Sequence, residues 1–214
     1  MIHVVKILET NYSYIIEDGF KAMIVDPGDA DPLLNRLEIL RLIPECILLT
    51  HNHSDHSNGV DEIKRKFPKV KVINNSRDSL LAFNSDNTVT IIHTPGHTQD
   101  SCCFYMPKRG VIFTGDTLFT GLCGKTDKKY YFEMFNSLQK LQELPLYTKV
   151  LPGHEYLSNS IEFLKTLNRE SGFYNSLLKF DYPSLNTTIA DEINNNPFMS
   201  SDINYFTKIR DLKG

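Results

Sequence analysis

The amino-acid sequence predicts an α+β chain in which strands and helices alternate up to about residue 157, after which helices take over. Apolar runs bounded by Gly, Pro, Asn or Asp, such as Cys46-Ile47-Leu48-Leu49 and Val111-Ile112-Phe113-Thr114, have the length and continuity of buried strands. Between such runs, residues 32–42, 60–67 and 131–144 carry apolar side chains at helical spacing. Beyond residue 157 the strand signals stop. A boundary near residue 165 then separates a mixed domain, residues 1–165, from a helical one, residues 166–214.

In chain order, residues 2–8 and 12–16 read as strands around a turn at Thr10-Asn11. Residues 21–25 read as the partner of the second, across the hairpin signal Asp18-Gly19. Asp26-Pro27-Gly28-Asp29 ends that strand, and Asp31 reads as an N-cap with Pro32 in the first helical position. A strand over 45–50, a loop, a helix over 60–67 stopped by Pro68, and a strand over 70–73 follow. Residues 76–83 read as a short helix, residues 88–93, 102–105 and 111–114 as strands, 131–144 as a helix and 149–151 as a short strand. Residues 160–170 and 172–180 read as helices. The run Asn194-Asn195-Asn196 before Pro197 reads as a turn-rich connection with no special function.

At 214 residues, with 41% hydrophobic and 23% charged side chains, the chain is long and apolar enough to bury a substantial core. A formal charge of −3 leaves no basic footprint for nucleic acid. The four cysteines, Cys46, Cys102, Cys103 and Cys123, form no Cys-x-x-Cys pair and no disulfide framework, which predicts reduced thiols and a cytoplasmic location. Residues 1–8 read as a strand rather than the apolar part of a signal peptide, and no run approaches the roughly 18 apolar residues of a membrane span.

Chemistry concentrates in Thr50-His51-Asn52-His53-Ser54-Asp55-His56, between a predicted strand and a predicted helix. Neutral imidazole and carboxylate suit zinc, iron and manganese, and crowding them without a cation would leave polar groups unpaired. His97, Asp116 and His154 each follow a predicted strand beside a Gly or Pro turn. A lone His97 or His154 would more often be an ordinary surface or core histidine, but the joint set reverses those odds. Seven donors exceed the four of one tetrahedral zinc, which points to two divalent ions with Asp116 between them. His3 and His93 lie outside these loops.

These stretches, together with Thr94-Pro95-Gly96-His97-Thr98, Gly115-Asp116-Thr117-Leu118-Phe119 and Pro152-Gly153-His154-Glu155-Tyr156, resemble the metallo-β-lactamase superfamily over nearly the whole chain. Within it the sequence is most similar to the glyoxalase II, or hydroxyacylglutathione hydrolase, family, through Thr10-Asn11-Tyr12, Cys123-Gly124-Lys125 and Asn196-Pro197-Phe198-Met199. The resemblance implies a four-layer αββα sandwich and a short helical C-terminal domain that helps to bind substrate. It implies His51, His53 and His97 on one metal, Asp55, His56 and His154 on the other, and Asp116 bridging them. Zinc is the expected metal, with iron and manganese acceptable to the same donors. Lys125 and Tyr156 match positions that bind the glutathione moiety. The chain departs from the family where an aromatic residue gives way to Asp127 and where a basic residue after Met199 gives way to Ser200, although Lys208, Arg210 and Lys213 lie further on.

The activity so implied is hydrolysis of the thioester of S-D-lactoylglutathione, or a similar 2-hydroxyacyl glutathione, to D-lactate and glutathione, as in methylglyoxal detoxification. A hydroxide held between the metals would attack, with Asp55 and Asp116 as the catalytic carboxylates. A second reading is a glutathione persulfide dioxygenase with one iron, whose branch the stretch from Cys123 to Asp127 also resembles. Glu155-Tyr156 and residues 196–199 favour the hydrolase. A non-catalytic binding module fits less well, because no donor of the set is missing. A monomer with a small-molecule substrate, and neither nucleic acid nor membrane as partner, is the expectation.

Overall fold

A computed structural model describes residues 1–74, 80–82 and 88–214. Strands β1 (Ile2–Lys6), β2 (Tyr12–Asp18), β3 (Lys21–Val25), β4 (Ile43–Leu49) and β5 (Lys71–Asn74) form one sheet in sequence order. The first three are antiparallel, and β3, β4 and β5 run parallel. The crossover between β3 and β4 is α1 (Ala30–Leu40), and that between β4 and β5 holds α2 (Ser54–Ser57) and α3 (Val60–Lys66). A second sheet contains β6 (Leu80–Ala82), β7 (Thr88–His93), β8 (Cys102–Met106) and β9 (Val111–Gly115), antiparallel in that order. After a hairpin of β10 (Leu118–Phe119) and β11 (Leu122–Cys123), the helix α4 (Tyr131–Gln142) leads to β12 (Lys149–Pro152), which pairs parallel to β9. The chain closes with α5 (Leu157–Thr166), α6 (Gly172–Leu177), α7 (Ile189–Asn195) and α8 (Ile203–Lys213).

Strand periodicity explains the layers. Successive side chains of a strand face opposite sides, so Tyr12, Tyr14 and Ile16 of β2 and Cys46 and Leu48 of β4 meet Cys102, Phe104 and Met106 of β8 and Val111 and Phe113 of β9 between the sheets. The alternate residues Ile15, Ile24, Ile47 and Leu49 pack outward on Leu33 and Leu37 of α1 and Ile63 of α3. On the far side, Cys103 and Ile112 pack on Met134, Leu138 and Leu141 of α4, with Ile189, Phe206 and Ile209 from the C-terminal helices in the same cluster. Two sheets face to face with helices on both outer faces give the four-layer αββα sandwich. All four cysteines are buried and none forms a disulfide. Among the described residues, no helix is long and apolar enough to cross a membrane.

Several local expectations need correction. The N-cap of α1 is Asp29, whose side chain accepts from the Asp31 amide, and Pro32 sits in the third helical position. Asp29 has the extended backbone that a cap needs (φ −134°, ψ 128°), and a proline is tolerated anywhere in the first turn, where amides lack helical partners. The histidine-rich stretch is not wholly loop, since Ser54–Ser57 make one helical turn. Of the helix expected over 76–83, residues 80–82 are a strand paired with β7, and the rest lies outside the described residues.

The asparagine run also has a function that composition hides. Asn194 and Asn195 end α7, which Thr188 and Asp191 start with a reciprocal capping box. Asn196 is buried, and its amide donates to the carbonyls of Phe119 (3.3 Å) and Leu122 (3.0 Å) and to Glu192 Oε2 (2.9 Å). That same carboxylate oxygen accepts from the Gly121 amide (2.9 Å) and the Tyr174 hydroxyl (3.1 Å). Glu192 and Asn196 thereby pin the β10–β11 hairpin.

Burial pushes the Glu192 carboxyl up to about 7 despite these donors. Between the ordinary carboxylate value and 7 the folded chain holds a proton that the unfolded chain has lost, so this group's contribution to stability falls as pH rises through that window. The expected change is about 3 kcal/mol, from 1.36 kcal/mol per pKa unit. Urea unfolding of the wild type and Glu192→Gln at pH 5 and pH 8 measures it. The glutamine variant should gain about 2–3 kcal/mol on the wild type between the two pH values, and parallel pH dependences would refute the assignment.

Candidate metal centre

The parallel strands decide where the donors meet. β3 and β4 of one sheet and β9 and β12 of the other all end at one edge of the sandwich. The sheets are joined there by the Cys102 amide donating to Thr50 O (2.8 Å) and the Tyr12 amide to Gly153 O (2.8 Å), while the Gly153 amide continues the β9–β12 pairing by donating to Gly115 O (2.9 Å). His51 and His53 follow β4, Asp55 and His56 ride on α2, His97 lies between β7 and β8, Asp116 follows β9 and His154 follows β12.

All seven converge. Donor atoms of His51, His53 and His97 lie within 4.8 Å of one another, and so do those of Asp55, His56 and His154. A third group, His51, His56 and Asp116, joins these two sets. Asp116 faces both, with Oδ1 3.3 Å from His56 Nε2 and 3.4 Å from His154 Nε2, and Oδ2 3.5 Å from His97 Nε2. Each carboxylate oxygen thus serves one set, the geometry a bridging ligand requires.

The far sides of four of the five rings are spoken for. His51 Nδ1 meets Thr50 Oγ1 (3.1 Å), His56 Nδ1 meets Asp26 Oδ2 (3.0 Å), His97 Nδ1 donates to the Lys125 carbonyl (2.7 Å) and His154 Nδ1 meets Thr10 Oγ1 (3.0 Å). These contacts orient four imidazoles with Nε2 inward, while His53 offers Nδ1. Asn11 Nδ2 donates to Asp55 Oδ2 (2.9 Å) and fixes that carboxylate.

The donor set fits a divalent cation. Imidazole nitrogens face one another at 3.0 Å (His51–His53 and His53–His97) and 3.2 Å (His56–His154), and two inward lone pairs so placed repel unless a proton or a cation lies between them. Asp116 Oδ1 is buried without a hydrogen-bond partner, which is costly for a carboxylate unless a charge compensates. Burial would raise the Asp116 carboxyl, but His154 and His56 hold it well below the usual carboxylate range. Burial likewise lowers His56, yet Asp116 and Asp26 outweigh it and push this imidazole up to about 11, so that a metal would replace a proton there. Burial lowers His51 to about 4 and His97 below its ordinary value, keeping both as neutral donors. Burial also raises Asp55, but the Asn11 amide and neighbouring imidazoles prevail and the carboxyl stays ionised. Two glycines permit the close approach: a Cβ on Gly153 would lie 2.7 Å from Asp116 Oδ1, and one on Gly124 would lie 1.8 Å from Asp116 O.

Sequence reasoning passed over Asp26. It is 3% exposed, sits at φ 50° in the left-handed region that aspartate tolerates better than most residues, and accepts from Thr50 N (2.7 Å), Thr50 Oγ1 (2.6 Å) and His56 Nδ1. A signal existed, since Asp26 directly follows an apolar strand, as Asp116 does. In the sequence Thr10 and Asn11 carry only a turn and a motif signal, and their contacts with His154 and Asp55 give them a role.

Beside the centre, Tyr156 stacks on His154 with ring centroids 4.8 Å apart and planes 4° from parallel, and Phe119 meets both rings edge-on. These aromatics open into a cleft of about 350 Å³ that Lys125, Cys123, Arg210 and Lys213 also line. Lys125 and Tyr156, the two predicted substrate contacts, therefore share one cleft.

The description of the metallo-beta-lactamase superfamily matches residues 8–86 and 81–154. The hydroxyacylglutathione hydrolase of Pelagibacter ubique (strain HTCC1062) is 33% identical, over 99% of this chain and 98% of its own length. The chain belongs to the metallo-beta-lactamase superfamily, in its hydroxyacylglutathione hydrolase family. Among solved structures of the superfamily, BLEG-1 B3 metallo-beta-lactamase is similar with a TM-score of 0.74 and 26% identity, over 94% of this chain and 100% of that one. ETHE1 from Myxococcus xanthus reaches a TM-score of 0.76 at 22% identity, over 99% and 90% of the two chains, and shares the fold. In this superfamily setting, the His and Asp cluster of the chain is a divalent-metal centre.

Proposed function

We propose that this protein hydrolyses the thioester of S-D-lactoylglutathione, or a similar 2-hydroxyacyl glutathione, to the hydroxy acid and glutathione. The observation that carries this reading is the double donor set spanned by Asp116 at the mouth of a cleft lined by Lys125 and Tyr156. The relatives named hydroxyacylglutathione hydrolase support it. His51, His53 and His97 would hold one ion, Asp55, His56 and His154 the other, and Asp116 both, with zinc the expected metal. Bound there, such ions supply a Lewis acid and bring the pKa of water from about 15.7 towards 7.

The chain's own groups do the rest. Asp55, kept ionised, accepts a hydrogen bond from the attacking water and orients it towards the carbonyl carbon. The new C–O bond forms as the C–S bond breaks, the water oxygen ends in the hydroxy acid and a water proton ends on the thiol. Tyr156, a neutral phenol whose pKa burial raises, and Lys125 hold the thiol carrier in the cleft. Residues 166–214 act as the substrate-binding part, in a cytoplasmic monomer.

Metal analysis alongside turnover tests the proposal. The purified chain should carry two divalent ions and cleave S-D-lactoylglutathione, and removing the ions with a chelator should abolish cleavage until they are restored. A single iron with oxygen uptake on glutathione persulfide would replace this reading with a dioxygenase.

A further inference from the structure

The hairpin β10–β11 is too small to hold itself. With two residues in each strand it has few ladder bonds of its own, and an isolated two-stranded hairpin is marginal in water. Each residue of its turn, however, has a partner later in the chain. Asn196 donates to the carbonyls of Phe119 and Leu122, and Glu192 accepts from the Gly121 amide. Thr120 Oγ1 donates to Ser184 O (2.9 Å), and Thr120 O accepts from Ser160 Oγ (2.5 Å). Gly121 sits at φ 77°, which favours glycine, and a Cβ on it would lie 2.9 Å from Ser160 Cβ and 3.0 Å from the Tyr174 ring. The turn is therefore seated on α5, α6 and α7 with no spare room.

The hairpin carries one ring to the metal centre. Phe119 is 4% exposed, and its centroid lies 5.9 Å from that of His154 and 5.0 Å from that of Tyr156, edge-on to both. Edge-to-face contact is directional, so a displaced Phe119 would leave the stacked pair of His154 and Tyr156 without support on that side. Ser160 reinforces the link, because its hydroxyl also lies 2.9 Å from Tyr156 O and shares one proton between that carbonyl and Thr120 O.

We propose that Asn196, seated by Glu192, is a positioning residue for thioester cleavage: it sets the Phe119 ring as the wall that holds Tyr156 in register with the metal centre. The assignment rests on the thioesterase reading, in which Tyr156 holds the thiol carrier. Asn196 acts through Phe119 rather than on the substrate. Its two bonds fix both ends of the turn, so their loss reaches the cleft as a shift in where the carrier sits, and small misplacements of a bound substrate are costly.

Steady-state kinetics of the metal-loaded full chain with S-D-lactoylglutathione, with KM and kcat read separately, test the role. Asn196→Ala should raise KM about 10-fold or more, with kcat within about 2-fold of the wild type and metal content unchanged. A loss of folded enzyme alone would do the opposite, lowering kcat and leaving KM. Glu192→Gln, whose amide oxygen still accepts from Gly121 and Asn196, should keep KM near the wild type, and Glu192→Ala should raise it. The decisive measurement is a double-mutant cycle. Phe119→Ala alone should raise KM by a similar factor, and Asn196→Ala added to it should change KM by less than about 2-fold. Ser160→Ala removes one hydroxyl and should raise KM to a smaller extent, which keeps the test open should Asn196→Ala fold poorly. An unchanged KM in both Asn196→Ala and Ser160→Ala, or independent effects of Asn196 and Phe119 in the cycle, would overturn the role while leaving the hydrolase reading intact. Calorimetric titration with free glutathione reads the same pattern in Kd without turnover. That pattern in a wild type that cleaves no thioester would overturn the hydrolase reading and keep the placement of Phe119 by Asn196.

Discussion

Asp116→Ala should lower thioester hydrolysis by about 10³-fold or more, since electrostatic stabilisation by a single donor is commonly worth 10²–10³ and a lost metal more. Among the described residues, Asp116 is the group whose two oxygens approach both donor sets, at 3.3 and 3.4 Å on one side and 3.5 Å on the other. Without it the sets keep their histidines but lose the anion that would offset two adjacent dications. Metal content should fall from two ions per chain towards one. Asp116→Asn retains the volume in a site where Gly153 and Gly124 leave no slack, so a comparable loss there assigns the effect to charge rather than to a cavity. Near-normal turnover with one ion per chain would sink the two-metal account.

The donor residues were legible because metal chemistry uses few residue types and the fold places them at strand ends, where turn residues mark the sequence. His51, His53, Asp55 and His56 needed no more than their density, while His97, Asp116 and His154 needed the strand-end pattern. The strands themselves were legible wherever both faces are buried, as in β4 and β9, since such strands read as continuous apolar runs. What stayed hidden depends on tertiary contact. Asp26 resembles any aspartate before Pro-Gly until His56 and Thr50 are seen around it. The hairpin β10–β11 has two residues per strand, too few for a periodic signal, and is held by Glu192 and Asn196 from a distant helix. α7 is rich in asparagine, a poor helix former, and relies on its capping box and on burial of Ile189 and Glu192.

Asp26→Asn should separate metal affinity from folding. The carboxylate fixes His56 with a proton on Nδ1, so that Nε2, which faces Asp116 and His154, is the nitrogen whose proton a metal would replace. An asparagine can still accept from the Thr50 amide through its carbonyl oxygen, so the β3–β4 connection keeps a bond. The amide group now facing His56 is a donor, however, and it makes Nδ1 the acceptor and drives the proton to Nε2, where a ligand needs its lone pair. Metal affinity should drop by about 10- to 100-fold, as is usual when a partner that orients a ligand is lost, with little change in the melting temperature of the metal-free protein. Asp26→Ala should do both kinds of damage. It strands Thr50 N, Thr50 Oγ1 and His56 Nδ1 in a site only 1–3% exposed, at a cost of about 3–5 kcal/mol, or about 6–20 °C in Tm at 2–4 °C per kcal/mol. Competition with a chromophoric chelator measures the first effect and calorimetric melting of the metal-free variants the second. If Asp26→Asn binds metal as tightly as the wild type, Asp26 only ties β3 to β4, and the tautomer of His56 is set by the metal itself.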